Sequence, residues 1–296
     1  MHIEHPSRRL ASAIEPFAGQ VYFAPECHAN YAALGFSPSQ RTTGTVALPD
    51  GIAYFCSRGS ILGQVPGEVV AAAFAVFNPA AVIPSVRYGW TLTDAATINE
   101  ARTAGAVAHL TRILGENPAG LERANELMAR AIAPLPPAGK PLFAGLLALG
   151  LPGTPLGDAW RRADVLREYR GDAHIAAWTA AGFDATEIGL LSELFWGLAP
   201  RTYIRTRAWT DADLDAATMR LADRGLLGGE SLTEMGRDAR AAVEVATDVQ
   251  CQPIVDALGD DLDELVDILR PWGDSIRAAG GYLASGPHDL ARVMDD

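Results

Sequence analysis

Two stretches carry the residue types best suited to chemistry. Arg170-Gly171-Asp172-Ala173-His174 offers an imidazole that changes charge near neutral pH and a guanidinium that grips carboxylates or phosphates. If Arg170 and His174 stand at the mouth of a pocket between two halves of the chain, His174 serves as proton acceptor or hydrogen-bond donor and Arg170 holds an acidic ligand. The plainer alternative is a helix break in which Asp172 caps the next helix and Arg170 pairs with a carboxylate. The second stretch, Tyr54-Phe55-Cys56-Ser57-Arg58-Gly59, reads as a strand running into a glycine turn, with Tyr54 and Cys56 on one face. Tyr54 and Arg58 then line a cavity or cover an ordinary core strand. Val86-Arg87-Tyr88-Gly89-Trp90 adds more aromatic-plus-arginine material, so Tyr88 and Trp90 join the candidate ligand contacts.

Other chemistry finds less support. Glu26-Cys27-His28 brings three reactive types together, but adjacent helix positions diverge and a Cys-His dyad needs contact in space. Asp260-Asp261-Asp263-Glu264 suits the solvated start of a helix, where carboxylates favour the dipole. Gly59-Ser60-Ile61-Leu62-Gly63 lacks a phosphate-loop pattern, and no HExxH, GxSxG or EF-hand motif occurs. No metal site and no cofactor are therefore expected.

The 296 residues are about half hydrophobic, enough for two domains or one large one. The formal net charge of −12 argues against general affinity for a phosphate backbone. Lys140 is the only lysine. Cys27, Cys56 and Cys251 lack CxxC spacing, which suits reduced thiols. Residues 1–10 are polar with no apolar run behind them, and the longest apolar run, 141–151, is too short to span a bilayer. A cytoplasmic protein without a membrane partner is expected, as a monomer or homodimer.

The elements that must position these residues are mostly helical. Mixed spacing with Pro16 and Pro25 excludes one unbroken helix over 14–34. Helices are predicted over 66–77, 94–114, 119–133, 156–169 and 174–181, and from a capping box at Asp184-Ala185-Thr186-Glu187 to Trp196. The strand of the first half is placed at 52–55, after a Pro49-Asp50-Gly51 turn. Residues 134–141 form the linker candidate, and Pro271 should kink or end the helix over 260–279. The division that follows is an N-terminal helical domain over 1–133, a linker region over 134–155 and a C-terminal winged domain over 156–296.

That winged stretch is the clearest fold signal. Thr210 caps a helix over 211–224, Gly225 ends it, Leu226-Leu227 and Ser231-Leu232 flank a Gly228-Gly229 tip, and Thr233 opens a helix to Asp248. A faint echo of this order near residues 14–36 leaves a second, degenerate winged element open. The class is mostly α (α+β), with winged-helix elements that a duplication would pair in tandem.

Trp209-Thr210-Asp211, Arg220-Leu221, Arg224-Gly225-Leu226-Leu227, Leu232-Thr233 and Gly236-Arg237 together resemble the winged-helix region of MarR-type regulators, over residues 184–248. The whole chain also resembles an actinobacterial family of helix-turn-helix-like proteins, through Phe77-Asn78-Pro79, the 170–174 segment and the C-terminal wing. The resemblance implies a recognition helix at 211–224 and a wing, and carries no activity with it. The charge departs from the MarR pattern. The wing tip ends in Glu230, the recognition-like helix opens with Asp211, Asp213 and Asp215, and residues 184–248 hold twelve acids against seven arginines.

The preferred function is therefore binding or sequestering of a small metabolite or drug, aromatic or anionic, between the two halves, with weak or no DNA binding. Its ligand contacts would be Tyr54, Arg58, Tyr88, Trp90, Arg170 and His174. The alternative is a ligand-responsive MarR-like transcriptional regulator whose basic strip is Arg201, Arg205 and Arg207. The third is an enzyme on the same scaffold, with His174, Tyr54 and Arg58 as acid–base candidates.

Overall fold

Most helices start where a short polar side chain takes up the free amides of the first turn. Asp50, Asn78, Asp94, Thr154 and Thr233 do this singly, while Asp184 and Thr210 form reciprocal capping boxes. A computed structural model describes residues 5–283. Residues 1–4 of the polar N-terminal segment and residues 284–296 of the C-terminal span lie outside the described residues.

The order is α1 (Pro6–Gly19), α2 (Pro25–Ala33), β1 (Thr42–Thr43), β2 (Val46–Ala47), α3 (Gly51–Gly59), α4 (Gly67–Phe74), α5 (Pro79–Gly89), α6 (Ala95–Leu114) and α7 (Leu121–Ile132). There follow α8 (Pro141–Leu149), α9 (Pro155–Ala180), α10 (Ala185–Phe195), α11 (Asp211–Asp223), β3 (Leu227–Gly228), β4 (Ser231–Leu232), α12 (Glu234–Leu258) and α13 (Leu262–Ala278). The chain is mostly helical, as expected. Among the described residues its strands make two antiparallel hairpins, each set between two helices.

Two local expectations are corrected and a third is narrowed. The segment expected as a strand at 52–55 is helix α3: Asp50 caps it, and Ala53, Cys56, Ser57 and Ser60 are buried at helical spacing. The break expected at Arg170-Gly171-Asp172 does not occur, because α9 runs unbroken from Pro155 to Ala180. A glycine inside a helix costs about 1 kcal/mol, which the packing of so long a helix outweighs. The stop or kink expected at Pro271 is not a stop, since α13 continues to Ala278.

Helix α9 is the axis of the structure and packs against α1, α6, α7, α8 and α12. Trp160 and Tyr169 on α9, with Phe17 and Phe143, are fully buried in the larger of two apolar clusters. Burying a side chain of that size contributes about 1.5–3 kcal/mol. The large cluster takes in residues from Leu10 to Ala173 and again from Cys251 to Tyr282. The smaller one gathers Ala177 and Trp178 at the end of α9, the inner faces of α10 and α11, the β3–β4 hairpin and Val243 of α12. Helices α9 and α12 each pass from one cluster to the other.

Gly236, three residues after Thr233, has a steric role. A Cβ on Gly236 would lie 2.1 Å from the backbone oxygen of Leu226, so α12 approaches the hairpin closely only without a side chain there. Gly236→Ala is expected to lower stability by roughly 1–3 kcal/mol, read as a fall in urea midpoint at unchanged slope.

Candidate functional site

The module built on the smaller cluster has the order helix, connection, helix, hairpin, helix, from α10 to α12. The connection between α10 and α11 is pinned from several sides. The buried Glu193 carboxylate accepts the backbone N–H of Ile204 at 3.1 Å and that of Arg201. Ile204 packs over Gly189, where any Cβ would collide with it. Arg201 and Ala208 adopt left-handed backbone, which is strained for residues other than glycine.

The far end of the connection is latched to the N-terminal half through the Phe77-Asn78-Pro79 turn. The Asn78 backbone N–H donates to Arg207 O at 3.0 Å and its side-chain amide to Ala208 O at 3.1 Å. The Trp209 indole N–H donates to Val76 O at 2.9 Å, and the Arg207 guanidinium lies 4.7 Å above the Phe77 ring.

Helix α11 is the second helix of this module. Its outward residues include Asp211, Asp215, Ala212, Ala216 and Met219, the last 67 % exposed. Arg205 pairs with Asp211 at 2.5 Å and Arg201 with Asp215 at 2.7 Å, while Arg207 bonds the Tyr203 hydroxyl and stacks on the Tyr203 and Phe77 rings. Exposed pairs of this kind contribute only about 0–1 kcal/mol each. Their consequence here is that Asp211 and Asp215 offset the charges of Arg205 and Arg201 beside α11.

The six residues expected as ligand contacts fall into separate places. Tyr54 and Arg58 lie one turn apart on α3, and Arg58 Nη1 donates to the Tyr54 hydroxyl at 3.3 Å. Arg58 also grips Glu168 with both arms of its fork, at 3.2 and 2.9 Å, and covers the Phe74 ring at 4.6 Å. Arg170 and His174 lie one turn apart on α9 but face α12. Arg170 reaches Glu244 at 3.0 Å, and His174 Nδ1 lies 3.1 Å from Thr247 Oγ1. The Thr247 hydroxyl also donates to Val243 O at 2.8 Å. Glu168 and Arg170 sit about 200° apart around α9, so the two pairs occupy opposite sides of that helix. Tyr88 is 53 % exposed, and the Trp90 indole N–H donates to Val65 O at 2.8 Å. Two open clefts of about 470 and 480 Å³ are lined by none of the six.

Partners for these groups come from far along the chain. Glu168 is buried between Arg58 and Arg167, with the Tyr22 hydroxyl at 3.4 Å. Burial alone would raise its carboxyl, but the two guanidiniums outweigh that and hold it down to about 2. Glu244 sits among Arg240 at 2.7 Å, Arg170 and His174, and they hold its carboxyl well below the usual carboxylate range against burial. Glu26 of the Glu26-Cys27-His28 trio pairs instead with His109 and Arg112, at 2.7 and 2.6 Å. No group of three or more His, Cys, Asp or Glu side chains among the described residues is arranged to hold a metal ion. No helix among them is long and apolar enough to cross a membrane.

Asp172 shows the reverse behaviour. It caps α8 from outside, its Oδ2 accepting the Phe143 N–H at 3.0 Å, rather than starting a helix of its own. Burial pushes its carboxyl up to about 7, from an ordinary 3.8. Between those values the folded protein holds a proton that the unfolded chain has lost, so stability falls as pH rises from about 4 to 7. Asp172→Asn keeps an acceptor for the cap and does not titrate. It is expected to gain roughly 2–4 kcal/mol on the wild type between pH 4 and pH 8, in denaturation series at both pH values.

The helix–connection–helix–hairpin order defines a helix-turn-helix protein. A family model described as a helix-turn-helix family matches residues 7–283, and the chain belongs to that family. Comparison with curated proteins and with solved structures gives no match.

Proposed function

We propose that this chain binds a small molecule on a MarR-like winged scaffold and has weak or no affinity for DNA, serving to sequester a metabolite or drug. The observation that carries this is on α11, where Asp211 and Asp215 hold Arg205 and Arg201 on the face a duplex would contact. Nonspecific affinity comes from arginines and lysines that neutralise phosphates, and here carboxylates already neutralise them. On this reading the aromatic or anionic ligand engages one of two separate pairs on opposite sides of α9, Tyr54 with Arg58 or Arg170 with His174, and Tyr88 and Trp90 are the remaining candidate contacts. The test is thermal denaturation against a panel of metabolites and drugs. A ligand selective for the folded state raises the midpoint in proportion to its concentration over Kd. No stabilisation by any compound would contradict the proposal.

The second reading, a ligand-responsive regulator, is favoured by the latch at Phe77-Asn78-Pro79. The aromatic cluster of Tyr54, Phe55, Phe74 and Phe77 touches Arg58 on one side and Arg207 on the other. A ligand that repacked this cluster would act directly on the connection that sets α11. This reading requires Arg201, Arg205 and Arg207 to leave their present partners for phosphates, with affinity that falls steeply with salt.

A further inference from the structure

Asp172 is a buried carboxyl with an incomplete set of partners. It is 2 % exposed, and its Oδ1 is buried without a hydrogen-bond partner. The buried carboxyls Asp164, Glu168 and Glu244 each hold an arginine, whereas Asp172 forms no ion pair among the described residues. Capping α8 needs one acceptor oxygen, which asparagine or serine would supply. The amides of the first turn of α8 favour the carboxylate, and Oδ1 is left without a partner of its own.

Asp172 lines an open cleft of about 470 Å³ between α4, α8 and α9. That volume lies within the range of small-ligand sites, about 300–1,000 Å³. The walls are mostly apolar, with Ala72 and Ala73 from α4 and Ile175, Ala176 and Ala180 from α9, and Thr179 adds one hydroxyl. We propose that this cleft binds an amphipathic amine, its ammonium taken up by Asp172 and its apolar body lying along the alanine wall. The site is separate from the contacts proposed above, since none of those six residues lines it.

The neighbouring charges leave this role open. Glu168 from α9 and Arg58 from α3 act on Asp172 in opposite senses and are bonded to each other. Lys140, ahead of α8, is directed to Gln250 at 3.2 Å and lies 4.8 Å from the Tyr169 ring centre. Glu68 of α4 pairs with Arg87. His174, two residues on and about half a turn round α9, bonds Thr247. An ammonium favours the ionised carboxylate, so binding below neutral pH expels a proton and the apparent affinity rises with pH.

The test is calorimetric titration of the full chain with phenethylamine and tryptamine, using phenylacetate as the anionic counterpart. Both amines should bind, and phenylacetate should bind at least about tenfold more weakly. Amine affinity should rise about tenfold from pH 6 to pH 8 as the carboxyl ionises. Asp172→Asn, which keeps the cap, should weaken the amines at least about tenfold and flatten the pH profile. Ala176→Phe fills the cleft while leaving the carboxyl in place, and should also abolish binding. The site is overturned if folded wild type binds neither amine, if phenylacetate binds as well, or if Asp172→Asn binds the amines unchanged. A metabolite that stabilises wild type and Asp172→Asn equally, with no amine bound, would support the ligand proposal above and overturn this site.

Discussion

Glu168→Ala is expected to lower the free energy of unfolding by about 3–5 kcal/mol, the cost of breaking a buried ion pair by removing one partner. Glu168 is 1 % exposed and is the shared anion of Arg58, which grips it bidentately, and Arg167, 2.8 Å away. Arg167 keeps Glu15 at 2.9 Å, but Arg58 loses its only carboxylate among the described residues. Glu168→Gln keeps an acceptor and should fall between wild type and alanine. The comparison is urea denaturation at pH 7, with the midpoint shifting and the slope unchanged. The sign of the pH dependence is a second check. Folding depresses the Glu168 carboxyl from 4.5 to about 2, so its stabilisation is complete above pH 4.5 and is lost as pH falls towards 2. Wild type and Glu168→Ala should therefore converge in acid.

Glu244→Ala should cost a similar amount, again about 3–5 kcal/mol, and at a place that matters more for how the two clusters cooperate. Glu244 is 3 % exposed on α12, one residue beyond Val243 of the smaller cluster and about two turns before Cys251 of the larger one. It binds Arg240 of the same helix and Arg170 of α9, and α9 crosses between the clusters at the same level. Its loss leaves Arg240 buried with the Ser192 hydroxyl and Arg170 with Asp248 at 3.5 Å. Tryptophan fluorescence and circular dichroism should both report the lower stability, with Glu244→Gln again intermediate.

How far the sequence could be read depended on the range of the interactions. The winged module was legible in detail because its signals are local. The Asp184 capping box, the Thr210 cap of α11, the Gly228-Gly229 hairpin tip and Thr233 all act within a few residues. Helix α3 differs from the expected strand because Ile52-Ala53-Tyr54-Phe55 is a short apolar run that suits a strand or a buried helix equally. The signal that separates the two was present in Asp50 as a cap and in the spacing of Ala53, Cys56, Ser57 and Ser60. The charged clusters had no local signal at all. Arg58 meets Glu168, and Arg170 meets Glu244, only because α9 brings distant segments together. Arg201 and Arg205 looked like a basic strip in the chain, and the acids expected to oppose DNA turn out to be their partners in space. Asp172 was expected to cap its own helix and instead caps α8 across the core.

Fluorescence anisotropy with a labelled random-sequence duplex, at about 50 mM salt where phosphate attraction is strong, tests the central claim most directly. Because Asp211 and Asp215 offset Arg205 and Arg201 on α11, no saturable binding is expected below roughly 10⁻⁴ M protein. A dissociation constant near 10⁻⁶ M or tighter, weakening on added salt with a log–log slope steeper than about −3, would contradict it.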